Sequence, residues 1–366
     1  MTIKKNNFKS PLFREQEENR SVKLALDLLN KIRKQPVFLF AIFALILVAM
    51  PMLAEYKIIS SADVTSVGTV IIFCIIALGF CLLLGYSALA SLGTAGFIGI
   101  GAYAAYYGIV EWGLGIGVAF IIAIVAALVI GVLVGYISLR IEGIYLAIVT
   151  LGVAQIIKEV LSAVCDTIQI KGKDLIVMGE RLKTNHVFYI LVAVLFLLMW
   201  ITSNLMNSPT GRAMLAMKNS TSAAQAFGIS LLKYRLLAFM ISIVFASVAG
   251  FLYMLYVRYV SNSSSTLFSL STSLNILGAV IIGGTKSIWG TIGGVFIIYG
   301  IDKLFLQDIE FFRKNPTFIT LFCGILVVVV VMFYPGGLAQ LMIELKLKAT
   351  KLIRRLKEGR YGKDLG

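Results

Sequence analysis

The amino-acid sequence predicts an all-α, polytopic integral membrane protein with about ten transmembrane helices. Of its 366 residues, 59% are hydrophobic and 14% are charged, whereas soluble domains contain about 45–50% apolar and about 25% charged residues. The mean hydropathy of +0.93 comes from separate apolar runs, and one helix needs about 20 apolar residues to cross a hydrocarbon core. A β-barrel would instead show short segments of alternating polarity.

Ten apolar runs are candidates for membrane-spanning helices, with ends placed to within a few residues. They lie at about 37–54, 66–86, 90–109, 115–138, 144–164, 187–206, 236–257, 270–283, 288–306 and 317–334. Prolines lie at the edges of several runs, where a missing N–H costs a helix least. The run at 270–283 is short and the run at 90–109 is rich in Gly and Ser, so both are expected to be broken or half-buried helices.

Basic residues collect on one side of the predicted membrane domain, 37–335. The tail 1–36 has nine basic and four acidic residues, and the tail 336–366 has eight and three. Loops on the same side contain Arg140, Arg212, Lys218, Lys233 and Arg235. By the positive-inside rule, both termini are cytoplasmic and the protein is a multi-pass protein of the cell (inner, plasma) membrane. The amphipathic segment 22–34 is expected to lie along the cytoplasmic interface.

The types of residue present exclude several classes of function. The single histidine, His186, and four cysteines without C-x-x-C spacing provide neither a metal site nor a redox pair, and no catalytic residue is predicted. Residues 284–287 resemble the end of a P-loop but lack the glycine directly before the lysine, so the chain is expected to bind no nucleotide. The charge asymmetry explains the net charge of +15, which favours anionic lipid and not nucleic acid as a partner.

Ionisable side chains are scarce inside the predicted spans. Lys158, Glu159, Asp302 and Lys303 lie toward span ends, and a charge near the midplane would cost about 2.5–3.5 kcal/mol. An ion-coupled carrier is therefore a remote alternative, and so is a membrane enzyme, which would need clustered His, Asp or Ser at one interface. The neutral polar residues predicted to line a pathway through the bundle are Ser91, Thr94, Tyr103, Thr150, Gln155 and Asn275.

Small residues recur at four-residue spacing in three of the spans. The pairs are Gly131 with Gly135, Ala246 with Gly250, and Gly290 with Gly294. This spacing lets helix backbones approach closely. Packing within the bundle and pairing with a second membrane subunit both fit the pattern.

The loop between the sixth and seventh spans, 208–230, is amphipathic, basic and too polar to cross the membrane. It contains G-R-A at 211–213 and A-A-x-x-x-G at 223–228, and Y-R-L-L-A-F follows at 234–239. These motifs resemble the cytoplasmic coupling segment of the membrane permeases of branched-chain amino acid ABC importers, the LivM-type subunits. Further motifs in family order occur at 91–103, 145–152, 283–287 and 334–338, so the resemblance covers most of residues 70–340.

The sequence departs from the family pattern in two places, one in the loop that resembles the coupling segment and one in a predicted outer segment. Thr221 and Ser222 stand where the family often has an acid before the A-A pair, which puts a salt bridge to an ATPase in doubt. The predicted outer segment 169–175 lacks the family's T-G-G run. Substrate delivery or specificity is therefore expected to differ from that of typical members.

The resemblance implies an ABC importer permease fold and ATP-driven import of Leu, Ile or Val. It implies a second permease of the LivH type, two cytoplasmic ATPase subunits that use the ATP, and an extracytoplasmic substrate-binding protein. The chain itself is then non-catalytic, with no bound cofactor. An alternative is a permease of the same type for urea, amides, nucleosides or sugars.

Within the coupling segment, 208–235, the resemblance and the residue types single out a set of small and basic residues. Arg212 and Lys218 are expected to meet acidic residues of the ATPase or lipid phosphates, and small residues are expected to allow close approach. The residues expected to transmit force are Gly211, Arg212, Ala213, Lys218, Ala223, Ala224 and Gly228.

Overall fold

The structure is a computed structural model, and it describes most of the predicted membrane domain. The described residues are 36–56, 60–141, 143–165, 167–171, 176–177, 180–181, 183–261, 266–306, 316–334, 336–342 and 344. The predicted interfacial helix at 22–34 and nearly all of the two tails lie outside these ranges. The chain divides into two compact units, Met1–Leu47 and Val48–Gly366.

Helices dominate the described residues. In chain order they are α1 (Pro36–Glu55), α2 (Ser61–Ser87), α3 (Thr94–Tyr106), α4 (Ile116–Ser138), α5 (Ile144–Val164), α6 (Thr184–Asn207), α7 (Pro209–Asn219), α8 (Thr221–Ala226), α9 (Leu231–Val257), α10 (Leu270–Gly283), α11 (Ile288–Val295) and α12 (Pro316–Phe333). Short π-helical segments follow α3 at Tyr107–Glu111 and α11 at Phe296–Gly300 and Asp302–Leu306. Each of the ten predicted spans overlaps helical structure.

Six of the helices in the described part of the chain are long and apolar enough to cross a membrane. They are α1, α2, α4, α5, α6 and α9. The all-α, polytopic fold class is therefore confirmed, whereas the count of ten crossing helices stays a prediction. The two runs expected to be broken or half-buried helices form α3 and α10, with 13 and 14 residues.

Helix α2 is the buried centre of the second unit. In its most apolar 18-residue window 94% of the residues are buried, compared with 22% in α4 and 6% in α5. It packs against α9, α6, α11 and α10, and α9 also packs against α3 and α4. The helix begins at the N-cap Ser60 and ends at Ala88, whose left-handed backbone (φ 54°) turns the chain.

The small-residue pairs pack inside this chain. A Cβ added at Gly250 would overlap the carbonyl oxygen of Ile98 in α3, and one at Gly131 would overlap the side chain of Ile243 in α9. A Cβ at Gly290 would likewise overlap the Gly283 carbonyl oxygen. These contacts confirm the packing within the bundle that the spacing allowed.

Two short antiparallel strand pairs lie in the segments that join helices. Strand β1 (Thr167–Gln169) pairs with β4 (Tyr259–Ser261), and β2 (Ile176–Val177) pairs with β3 (Glu180–Arg181). The first pair ties the segment after α5 to the segment after α9. Strands of two or three residues are too short to produce a readable alternation of polarity, so the sequence did not predict them.

Candidate functional site

Hydroxyl oxygens accept hydrogen bonds from backbone N–H groups in the segment that leads into α3 and in the first turn of this helix. The backbone N–H of Leu92 donates to Thr150 Oγ1 over 3.0 Å, and that of Gly93 donates to Ser91 Oγ over 3.2 Å. The N–H of Ala95 donates to Ser273 Oγ of α10 over 3.2 Å. Buried N–H groups need such partners, so α3, α5 and α10 meet at one polar junction.

The polar junction contains three of the six residues predicted to line a pathway. Ser91, Thr94 and Thr150 are each no more than 3% exposed, and Thr150 also donates from Oγ1 to the Ala147 carbonyl oxygen over 3.1 Å. The hydroxyls of Ser91 and Thr150 therefore complete backbone hydrogen bonding in this structure. Their predicted contact with a passing solute stays a prediction.

Tyr103 lies further along α3 and ties this helix to the end of α5. Its hydroxyl donates to the carbonyl oxygen of Cys165 over 2.5 Å, and its ring lies 6.4 Å from the Phe268 ring, centroid to centroid. The side chain is 3% exposed. This hydrogen bond fixes the position of the tyrosine between the segments after α5 and before α10.

The remaining two predicted pathway residues lie away from the junction's buried hydroxyls. Gln155 is exposed on α5, where its Nε2 donates to Glu159 Oε1 over 2.7 Å. Asn275 is half-buried on α10. The structure thus brings Ser91, Thr94 and Thr150 together and leaves Gln155 on an outer face of the described chain.

The interior is uncharged in the part of the chain that the structure describes. Every buried polar residue there is a serine or a threonine, and no cluster of three His, Cys, Asp or Glu side chains occurs among these residues. Such an interior offers weak, neutral hydrogen bonding to a solute.

Helices α7 and α8 form the coupling segment predicted from sequence, and serine caps set their starts. Ser208 Oγ accepts from the Gly211 N–H over 3.2 Å and donates to the Leu205 carbonyl oxygen over 2.7 Å. Ser220 Oγ accepts from the Ala223 N–H over 3.3 Å. Gly211 is buried in the first turn of α7, where a Cβ would overlap the Leu205 carbonyl oxygen. Gly211 is thus required by backbone packing.

Lys218 makes contacts within the chain that the sequence did not predict. Its Nζ donates to the carbonyl oxygens of Leu84 over 3.1 Å and Gly85 over 2.9 Å, at the C-terminal end of α2. A cation is favoured there because the last carbonyls of a helix are unpaired and carry partial negative charge. Burial, and after it the charge of Lys286, lower the pKa of Lys218. Two of the three ammonium donors of Lys218 are thus engaged within the chain, and its expected contact with a partner's acid or a lipid phosphate stays a prediction.

One family-like motif meets the end of α2, and a second motif packs against the first. The turn after α10, within the G-G-x-x-S motif, places the Thr285 carbonyl oxygen 3.3 Å from Cys81 Sγ and against Gly85, where a Cβ would overlap it. Gly337, from the Y-P-G-G-L motif, lies against Gly284, which has a φ of 101° that favours glycine. The coupling segment and the first of these motifs therefore meet at one end of the central helix.

The other predicted coupling residues divide between an inner and an outer face. Ala224 is 2% exposed, and Ala213 is half-buried, whereas Arg212, Ala223 and Gly228 are exposed. The sequence prediction overlooked Phe227, which is 86% exposed. A large aromatic residue in a run of small and polar ones was the signal that pointed to it.

These features define a class: a multi-pass helical membrane protein with an uncharged interior and a short helical segment docked on its central helix has the architecture of a membrane permease. The chain belongs to the family described as "Branched-chain amino acid transport system / permease component", which matches residues 64–331. That range includes the polar junction and the coupling segment. The predicted LivM-type resemblance is confirmed.

Named relatives share most of their length with this chain. The "High-affinity branched-chain amino acid transport system permease protein LivM" of Escherichia coli (strain K12) is 30% identical over 345 residues, covering 86% of this chain and 77% of the relative. The Salmonella typhimurium protein of the same name is 29% identical, with 86% and 78% covered. A "Probable branched-chain amino acid transport permease protein LivM" of Methanocaldococcus jannaschii is 25% identical, with 62% and 69% covered. No solved structure matches the chain.

Proposed function

We propose that this chain is the non-catalytic membrane-spanning subunit of an ATP-driven importer for Leu, Ile and Val. The observation that carries the proposal is the family match across 64–331, together with the names of relatives that share 86% of this chain. The uncharged interior supports the proposal because the described buried residues include no Asp, Glu, His, Lys or Arg, the side chains that usually couple transport to protons or ions.

The proposed importer has further subunits. Two cytoplasmic ATPase subunits bind and hydrolyse the ATP, a second permease of the LivH type pairs with this chain, and an extracytoplasmic binding protein delivers the cargo. The basic loops and both termini face the cytoplasm, in line with the positive-inside rule. This chain carries no cofactor of its own in the proposal.

In the proposed mechanism, the coupling segment passes movement of the ATPase subunits to the membrane helices. Arg212, Ala223 and Phe227 lie on its exposed side, where a partner can reach them. The opposite side is anchored through Lys218 to the end of α2. Since α2 packs against α6, α9, α10 and α11, movement of the segment changes the position of the helix that most of the bundle contacts.

The proposed solute path follows the uncharged polar groups of the bundle. Hydroxyls that already accept backbone hydrogen bonds retain lone pairs for brief contact with a solute. Selectivity then rests mainly with the binding protein. The proposed path residues are Ser91, Thr94, Tyr103, Thr150, Gln155 and Asn275.

Uptake into proteoliposomes tests the proposed function. The complete complex, purified with its own ATPase subunits and binding protein, is reconstituted with ATP at the ATPase side, and uptake of radiolabelled leucine is measured. We expect uptake that requires ATP and the binding protein. A complex whose ATPase subunits bind but do not hydrolyse ATP is the matched control and should not accumulate leucine.

Competition experiments in the same vesicles identify the transported solute. Isoleucine and valine should compete with leucine, while urea, an amide, a nucleoside and a sugar should not. Competition by one of those solutes instead of the amino acids would replace the proposed cargo. Leucine uptake that ignores both ATP and the binding protein would overturn the proposed mechanism.

A further inference from the structure

A cavity of about 610 Å³ lies where α4 ends and α9 begins. Its lining includes Arg140 just after α4, Arg235 in the first turns of α9, and Gly228 from the turn after α8. Its volume is within the range of about 300–1,000 Å³ that ligand pockets usually have. The cavity therefore has room for a ligand at the border between the membrane helices and the coupling segment.

Basic side chains line this cavity. Among the described residues its lining includes two arginines and no aspartate or glutamate, and leucine and isoleucine side chains form much of the rest. A guanidinium presents its donors in a planar fork that matches the oxygens of a phosphate or a carboxylate. Two such groups beside apolar side chains are suited to a ligand that has both an anionic and an apolar part.

One face of α4 leads from the apolar surface to this cavity. Val129, Leu133 and Tyr136 lie on that face and are each more than half exposed in the described structure. The guanidinium carbon of Arg140 lies 4.5 Å from the centroid of the Tyr136 ring. A membrane helix typically presents apolar residues to the acyl chains, an aromatic ring to the interface and a cation to the headgroups. The face of α4 has its residues in this order.

We infer that this cavity binds the phosphate of an anionic phospholipid between Arg140 and Arg235, with the acyl chains along the exposed face of α4. The continuity with an apolar face of α4 favours a lipid over an acidic protein partner, which would leave that face unused. The bound phosphate ties the end of α4 to the turn at Gly228 in the coupling segment. Binding needs neither cargo nor ATP, so its test stands apart from the proposed function.

Lipid titration of the purified complex in a non-ionic detergent tests this site. Native mass spectrometry measures binding of dioleoylphosphatidylglycerol and of dioleoylphosphatidylcholine, which has the same acyl chains and no net charge. We expect tighter binding of the anionic lipid and about fivefold weaker binding for each of Arg140→Gln and Arg235→Gln, the loss expected from removing one basic residue near a lipid headgroup. Lys233→Gln removes an exposed charge that does not line the cavity, and it should change binding less than about twofold.

Further variants keep the result interpretable. Arg140→Lys and Arg235→Lys retain the charge without the fork and should bind the anionic lipid more tightly than the Gln variants, even if the latter fold poorly. Equal binding of the two lipids, or equal losses in Lys233→Gln and the arginine variants, overturns the site. Displacement of the lipid by equimolar glycerol phosphate assigns the cavity to a free phosphate. Loss of the ATPase subunits with lipid binding unchanged assigns the arginines to protein docking, and either result also overturns the lipid proposal.

Discussion

Single polar side chains complete helix ends in the interior of this protein. Thr150 accepts from an N–H group just before α3, Ser273 accepts from one in the first turn of α3, and Lys218 donates to the last carbonyls of α2. Each interaction joins two segments that are far apart in the chain. At these positions one hydroxyl or ammonium group therefore supports both a local helix end and a tertiary contact.

Removing the Thr150 hydroxyl should leave a buried donor without a partner. Thr150→Val keeps the shape but removes the acceptor for the Leu92 N–H, so we expect the free energy of unfolding to fall by about 1–3 kcal/mol. Thr150→Ser retains the oxygen and should lose clearly less. Denaturant unfolding of both variants in detergent measures the difference, and equal losses would show that the methyl group, and not the hydrogen bond, matters.

Replacing Lys218 should loosen the contact between the coupling segment and α2. Lys218→Met removes two charge-assisted hydrogen bonds to helix carbonyls, and we expect a loss of about 1–2 kcal/mol, limited by the partial exposure of the site. Lys233→Met, in an exposed position of α9, is the control and should change stability by less than about 0.5 kcal/mol. Thermal unfolding that is the same for both variants would contradict the anchoring role.

At the scale of helices, hydropathy predicts where helices form, but it does not predict which helices pack against each other. The most apolar 18-residue stretches of α2 and α4 have similar mean hydropathies, 2.9 and 3.1. However, 94% of the residues in the α2 stretch are buried, compared with 22% in the α4 stretch. Lipid tails and the protein interior are equally apolar, so a helix of a given composition can face either one. The ten helical segments were therefore predictable from the sequence, whereas the central place of α2 was not.

Glycine contacts set the distance between α3 and α9. A Cβ at Gly101 would overlap the Ser247 carbonyl oxygen, and one at Gly250 would overlap the Ile98 carbonyl oxygen. We expect Gly101→Ala and Gly250→Ala each to destabilise the protein by about 1–3 kcal/mol, because the helices must separate. Both losses are measured by denaturant unfolding in detergent.

Gly152→Ala in α5 is the matched control for these two variants. No atom lies within 4 Å of its added Cβ, so the change should be neutral or stabilise the helix by up to about 1 kcal/mol. A loss at Gly152 as large as those at Gly101 and Gly250 would mean that the α3–α9 distance does not account for the effect.

For the whole molecule, the class of protein and a segment between the sixth and seventh predicted spans that is too polar to cross the membrane were predictable, but the contacts of individual side chains within it were not. Lys218 was expected to face a partner because it is basic and lies in a loop. The sequence did not predict its two acceptors within the chain, which lie 134 and 133 residues away. Gln155 was expected inside because it interrupts an apolar run, and it is exposed beside Glu159. Such outcomes depend on which helices become neighbours, and a single sequence does not specify that.

The sidedness of the whole molecule gives the last prediction. Phe227 is 86% exposed on the coupling segment, and Trp112, 59% exposed, follows α3 at the opposite predicted side of the membrane. Single cysteines are introduced as Phe227→Cys or Trp112→Cys in a chain with Cys165→Ser and Cys323→Ser, while Cys74 and Cys81 stay because both are buried. A membrane-impermeant maleimide then reports which side each position faces.

We expect Phe227→Cys to react in inside-out vesicles stripped of the ATPase subunits and to be protected when these subunits are added back. Trp112→Cys should react only in right-side-out vesicles and should show no such protection, which makes it the control for general accessibility. These results follow from a basic coupling segment held on the cytoplasmic side and covered by a partner. Reaction of Phe227→Cys from outside would reverse the topology, and reaction without protection would separate the exposed aromatic ring from ATPase docking.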